Sequence, residues 1–217
     1  MTWQRLLSVL LFIGIIAPTS GQAQLIDRVG LSGGFVSAHA TDNIDQLDFD
    51  RRLGWTAAAF VEKRVFSALS VRSEVGYIQR GFVDTREEID EDGTILSIIE
   101  AETQLNYLTV PLLAKLAYDV SPASVYALAG PRLDILLHRN AEDFEFVNSP
   151  PVENEIVDSY DSVVFGGTIG FGVETHLLPM RLFIEGRYDI DVTESFSSDV
   201  PRTVRNNAIV VVMGIAF

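Results

Sequence analysis

The chain has 217 residues with 16 Lys+Arg against 30 Asp+Glu, a formal net charge of −14, and this acidity argues against nucleic acid as a partner, whose binders carry basic patches. It contains no cysteine, which excludes disulfides, thiolate metal sites and a lipidated amino-terminal cysteine. Its length fits one domain behind a targeting segment.

Residues 1–5 form a short basic start ending in Arg5, residues 6–17 are apolar, and Gly21 and Ala23 supply the small residues of a cleavage site before Gln24. The pattern predicts a signal peptide over 1–23. Its apolar run is too short for a bilayer-spanning helix, which takes about 20 residues. The remainder, 24–217, is expected to be a single barrel domain outside the cytoplasm.

After the signal, apolar and polar residues alternate with period two, and no helical period is sustained. The first segment, 27–38, sets Val29, Leu31, Gly33 and Phe35 against Arg28, Gly30, Ser32 and Gly34. The second, 53–62, sets Leu53, Trp55, Ala57, Ala59 and Val61 against Gly54, Thr56, Ala58 and Glu62. In the third, 69–83, Leu69, Val71, Val75 and Tyr77 alternate with Ser70, Arg72, Glu74, Gly76 and Arg80. One face suits lipid and the other suits water or ion pairs.

The fourth, 105–118, places Leu108, Val110, Leu112, Ala114, Leu116 and Tyr118 opposite Tyr107, Thr109, Pro111 and Lys115. Pro111 donates no ladder hydrogen bond, so a bulge or a local break in pairing is expected there. The fifth, 123–138, turns Val125, Ala127, Ala129, Leu133, Ile135 and Leu137 outward and Tyr126, Gly130, Arg132 and Asp134 inward. The sixth, 163–174, alternates Ile169, Phe171 and Val173 with Thr168, Gly170, Gly172 and Glu174. The seventh, 180–191, sets Leu182, Ile184, Gly186, Tyr188 and Ile190 against Arg181, Glu185, Arg187 and Asp189. The eighth, 208–217, carries Ile209, Val211, Met213, Ile215 and the terminal Phe217 on one face and the slimmer Val210, Val212, Gly214 and Ala216 on the other.

The connections alternate between long (38–52, 84–104, 139–161, 192–205) and short (63–68, 119–122, 175–179), which puts every long loop on one rim. An even strand count with both ends on the short-turn rim is the plan of an outer-membrane barrel. The fold expected is therefore all-β, an eight-stranded antiparallel up-and-down transmembrane β-barrel in the cell outer membrane. The alternative is a soluble barrel of the lipocalin kind, but that would bury its apolar face inward, whereas here the charges share a face with the glycines.

The run Leu105-Asn106-Tyr107-Leu108-Thr109-Val110-Pro111-Leu112-Leu113-Ala114-Lys115-Leu116 resembles the YLxxPLLxK strand of the PorT-like outer-membrane β-barrel family common in Bacteroidota. Ala127-Leu128-Ala129-Gly130-Pro131, the stretch from Gly166 to Glu174 and the terminal phenylalanine are similar to that family as well. The resemblance covers most of the chain after the signal. It implies a barrel with Pro111 inside a strand and a link to protein secretion, and it assigns no site residues.

Candidate chemistry is sparse. The glycines of Gly166-Gly167-Thr168-Ile169-Gly170-Phe171-Gly172 lack the Gly-Lys-Ser/Thr ending of a phosphate loop and are read as room for long interior side chains. Asp134, His138, Asp189 and Asp191 fall near the long-loop rim, where a His with carboxylates could activate water, but no G-x-S-x-G motif accompanies them. They are read as solvated rim residues, and no catalytic, cofactor-binding or metal residue is assigned. The inward charges Arg72, Glu74, Arg80, Lys115, Arg132, Asp134, Glu174, Arg181, Glu185, Arg187 and Asp189 mix both signs and are expected to pair across the lumen and plug it.

Trp55, Tyr77, Tyr118, Tyr188 and Phe217 are expected to form interfacial girdles. Acid collects in the long connections at Asp42, Asp45, Asp48 and Asp50, at Asp84, Glu87, Glu88, Asp90, Glu91 and Asp92, and at Glu142, Asp143, Glu145, Glu153 and Glu155. Its spacing matches no EF-hand loop, so weak, collective contact with divalent cations is the expectation. The function expected is a structural or interaction role without enzymatic activity, tied to secretion or envelope assembly; the alternatives are a small diffusion pore and a rim-active hydrolase. Expected partners are outer-membrane lipid and lipopolysaccharide, the barrel-assembly machinery and a protein at the extracellular loops.

Overall fold

The computed structural model describes residues 26–42, 49–89, 95–141, 162–177, 179–193 and 204–217. Eight strands run β1 (Arg28–Asp42), β2 (Phe49–Arg64), β3 (Leu69–Ile89), β4 (Ile95–Val120), β5 (Ala123–Ala141), β6 (Val163–Leu177), β7 (Met180–Asp191) and β8 (Val204–Ala216). Each pairs antiparallel with its neighbours in sequence, and β8 returns to β1 to close the barrel. Closure leaves no open edge around the wall, the condition for a sheet to lie in lipid. The last residue completes it. The Phe217 N–H donates to the Val29 carbonyl at 2.8 Å, and the Val29 N–H donates to the Phe217 carbonyl at 3.2 Å.

The alternation read from the sequence is the alternation of the wall. Phe35 is 76% exposed, Leu53 77%, Phe171 75% and Met213 62%, all on the outer face. Arg72, Lys115 and Glu185, on the inner face, are each 1% exposed. A surface of large apolar side chains around a charged interior inverts the arrangement of a water-soluble barrel and matches one that sits in hydrocarbon.

The structure corrects the strand ends on the long-loop side. Residues 84–104, read as a long loop, are mostly strand: β3 continues to Ile89 and β4 begins at Ile95. Asp84, Glu87 and Glu88 therefore lie in β3, Asp42 ends β1 and Asp50 lies in β2. Their polar side chains broke the apolar alternation that would have marked these extensions as strand. The signal segment 1–23 and the acids Asp45, Asp48, Asp90, Glu91, Asp92, Glu142, Asp143, Glu145, Glu153 and Glu155 lie outside the described residues.

Pro111 sits inside β4. Its pairing with β3 lapses between Ser73↔Leu112 and Gly76↔Thr109, and the register is the same on both sides. A break, not a bulge, accommodates the missing N–H. The bulge in β5 lies elsewhere: Tyr107 pairs with Leu136 and Asn106 with His138, so Leu137 is the extra residue. In β3, Gly81 takes a φ of +138°. A Cβ there would lie 1.9 Å from the Thr103 carbonyl oxygen, so both the backbone and the neighbouring strand require glycine.

Candidate functional site

The site that the wall encloses is the lumen, and it is filled by two layers of ion pairs. In the layer nearer the short turns, alternate positions of β2, β3, β4, β6 and β7 deliver Glu62, Arg72, Glu74, Lys115, Glu174, Glu185 and Arg187 to one interior. Lys115 Nζ donates to Glu174 at 2.6 Å and to Glu62 at 3.4 Å. Arg187 grips Glu74 through both terminal nitrogens at 2.8 Å each and reaches Glu185 through Nε at 2.7 Å. Glu185 also accepts from Arg72 and, at 2.7 Å, from the Tyr126 hydroxyl. Arg28 and Arg181 close the layer from the rim, at 3.2 Å from Glu62 and 2.8 Å from Glu174.

Rings seat these cations. The Arg72 guanidinium lies 4.6 Å from the Phe60 ring centroid and 5.2 Å from that of Phe183, and the two rings meet edge to face at 5.6 Å. Lys115 Nζ stands 4.1 Å over Tyr126. Glycine makes the room: a Cβ on Gly172 would lie 2.6 Å from the Tyr126 hydroxyl, and one on Gly30 would lie 2.3 Å from the Phe60 ring.

The second layer, toward the long-loop rim, holds Arg80 and Arg132 among Asp134, Asp189 and Asp191. Arg80 donates to Asp189 at 2.7 Å and to Asp191 at 3.2 Å. Arg132 donates through Nε to Asp134 at 2.8 Å and also pairs with Asp191. Thr168 Oγ1 donates to Asp189 at 2.6 Å. An apolar cluster that includes Val36, Ala38, Ile78, Phe82, Leu105, Val164 and Val210 packs the interior alongside it, with Leu105 in register with Arg80 and Val164 with Asp134. Sequence reasoning did not foresee that cluster, although the inward parity of β1 and β8 leads straight to Val36, Ala38 and Val210.

The eleven charges expected to plug the lumen are all on the inner face and all are ion-paired. Arg28, Glu62 and Asp191 join them, and the alternation of their strands was the available signal. The reading of Asp134, Asp189 and Asp191 as solvated rim groups is overturned, since each is buried in the second layer. His138 is exposed and pairs in register with Asn106, on the opposite side of the wall from Asp134. The bulge at Leu137 puts it there. The structure thus brings the three aspartates together and leaves the histidine out. Among the described residues no group of three His, Cys, Asp or Glu is placed to hold a metal ion.

On the outer wall, a polar cluster ends the apolar band. The Tyr77 hydroxyl donates to Asn106 Oδ1 at 2.7 Å, Gln104 Nε2 donates to the same oxygen at 2.9 Å, and Gln79 Nε2 donates to the Tyr77 oxygen at 3.2 Å. Trp55 stacks tilted on Tyr77, with centroids 4.8 Å apart. Such groups are costly in hydrocarbon and settle at its boundary. Tyr118 and Phe217 are exposed at the opposite end. The strand from Ile209 to Phe217 rises roughly 20 Å at about 3.3 Å per residue and a tilt of about 40°, which suits an apolar band about 25 Å tall. Below the band, the Arg64 N–H donates to Asp27 at 2.7 Å, which holds that carboxyl below its usual range.

A family described as outer membrane protein beta-barrel domain matches residues 22–197. The chain belongs to that family. This outer-membrane barrel is similar to several solved structures. Ail, the attachment invasion locus protein of Yersinia pestis, is 14% identical, with 88% of this chain and 98% of that chain covered and a TM-score of 0.41. Neisserial surface protein A is 14% identical, with coverage of 87% and 95% and a TM-score of 0.43. The outer membrane protease OmpT from Escherichia coli is 8% identical, with coverage of 92% and 99% and a TM-score of 0.45. No curated protein matches the chain.

Proposed function

We propose that this outer-membrane barrel is a non-enzymatic, non-conducting scaffold whose role is structural or interactive and resides in what it displays on the long-loop rim. The observation that carries the reading is the filled lumen: two layers of ion pairs and an apolar cluster occupy the interior that a pore would keep open. Eight strands enclose a space that side chains just fill. A pocket of about 90 Å³ at the short-turn rim, lined by Phe66 and Ser67 of the turn and by Arg28, Glu62, Lys115 and Glu174, ends against the first ion-pair layer. A diffusion pore would need that layer to part. A rim hydrolase would need His138 beside an aspartate, and the wall stands between His138 and Asp134.

The resemblance to the PorT-like group supports an association with secretion or envelope assembly. In that role the apolar band contacts outer-membrane lipid and lipopolysaccharide, the barrel-assembly machinery inserts the chain, and a protein partner meets the extracellular side. The test is conductance: purified protein in a planar bilayer should show no steady ohmic current. A reproducible open level would replace this reading with the pore.

A further inference from the structure

The wall does not end level. Among the described residues, pairing of β2 with β3 reaches Phe49↔Asp84, and pairing of β4 with β5 reaches Thr103↔Ala141. Among the described residues the β3–β4 pair goes on past both, through Thr85↔Glu100, Arg86↔Ile99, Glu87↔Ile98 and Glu88↔Ser97 to Ile89↔Ile95. Residues 85–89 and 95–100 therefore form a two-stranded hairpin whose backbone, among the described residues, pairs only with itself. From Tyr77, at the boundary of the apolar band, β3 runs on to Ile89, or roughly 40 Å of strand at about 3.3 Å per residue.

Among the described residues, no strand lies along the outer edges of this hairpin, and the backbone donors and acceptors there are open to a further strand. Proteins normally blunt such an edge with lysine, proline or a covering segment. Neither lysine nor proline occurs in the edge sequence Ile95-Leu96-Ser97-Ile98-Ile99, which is apolar and rich in β-branched residues. Around it, residues 84–102 hold Asp84, Glu87, Glu88, Asp90, Glu91, Asp92, Glu100 and Glu102 against the single base Arg86. The edge offers strand pairing, and the charge selects what pairs.

We propose that the β4 edge of this hairpin takes up an extended polypeptide segment in which cationic and apolar residues alternate, adding it as a further strand outside the cell. The inference rests on the interaction reading above and names the class of partner. Main-chain hydrogen bonds supply affinity in strand addition, and the side chains set specificity. A second copy of this hairpin is the wrong occupant. It would bring its own acid excess to within about 4.8 Å, well inside the screening length of about 8 Å at physiological salt. A basic segment turns the same charge into attraction and faster encounter.

The experiment uses the full barrel in lipid nanodiscs and a ten-residue peptide of alternating lysine and valine. Its comparators are the same peptide N-methylated at alternate residues, in both phases, and a glutamate–valine peptide. The lysine–valine peptide should bind, its ¹³C-labelled carbonyls should take the infrared frequency of paired strand, and one N-methylated phase should bind at least about tenfold more weakly because several hydrogen bonds are lost. A variant lacking residues 87–98, with Arg86 joined to Ile99 through Asn-Gly, keeps every pairing of the barrel wall. It should stay folded, as judged by heat-modifiable migration, and lose binding. No binding to the intact barrel, equal binding of both N-methylated phases, equal binding of the glutamate–valine peptide, or full binding to the folded shortened variant would each overturn the proposal. Conductance on the same preparation reports separately on the closed-lumen reading, so the two can fail independently.

Discussion

Glu185 shows what one residue does in this interior. It takes hydrogen bonds from Arg72, Arg187 and Tyr126, and each of its charged neighbours has a different fallback. Arg187 still holds Glu74 at 2.8 Å, while Arg72 keeps Glu62 at 3.2 Å and the flanking rings. Glu185→Ala should lower the unfolding free energy by about 3–5 kcal/mol, the cost of leaving one partner of a buried pair behind. Adding Arg72→Met should recover part of that loss, because Glu62 keeps Arg28 and Lys115 and Glu74 keeps Arg187. Urea unfolding in lipid vesicles, run as a double-mutant cycle, checks both values. Gly81→Ala should cost more than about 1 kcal/mol from its positive φ alone, with the Thr103 clash added. Gly33→Ala is the control, because a Cβ there meets only the Thr56 carbonyl at 3.6 Å.

At the scale of the element, β8 depends on its last residues. Ile215 pairs in register with Leu31 and Leu182 on the lipid side, and Phe217 bonds Val29 in both directions. Deleting Phe217, or making Ile215→Lys, should block assembly while export continues. A lysine facing lipid near the midplane costs about 2–4 kcal/mol and less toward an interface. Protease resistance in isolated membranes reads the outcome, and full resistance of either variant would contradict the argument. Elements with one face in lipid were legible because hydrocarbon enforces strict alternation, as at Leu53, Trp55, Ala57 and Ala59. Where the strands leave the membrane that constraint ends. Glu87 and Glu88 are compatible with strand or loop, so the extension of β3 could not be read from them. The bulge at Leu137 was hidden for a different reason: one added residue leaves the composition unchanged yet moves His138 to the other side of the wall.

The whole molecule has a direction. Short turns and both ends of the barrel share one rim, and the extended β3–β4 hairpin stands on the other. The sequence carried this polarity in its alternating connection lengths, and it carried the closed lumen in the mixed signs of Arg72, Glu74, Lys115 and Glu185. It could not say which cation meets which carboxylate, because those contacts join strands as far apart as Arg72 and Glu185. The orientation can be tested directly, since the chain has no native cysteine to interfere. Outer-membrane barrels keep short turns in the periplasm and long loops outside. Ser67, exposed in the turn after β2, reports on the first rim, and Val192, 67% exposed just past β7, reports on the second. With a membrane-impermeant maleimide on intact cells, Val192→Cys should label and Ser67→Cys should stay unlabelled until the outer membrane is permeabilised. Labelling of Ser67→Cys alone would invert the barrel and move the acidic hairpin to the periplasm, where its partner would have to be sought instead.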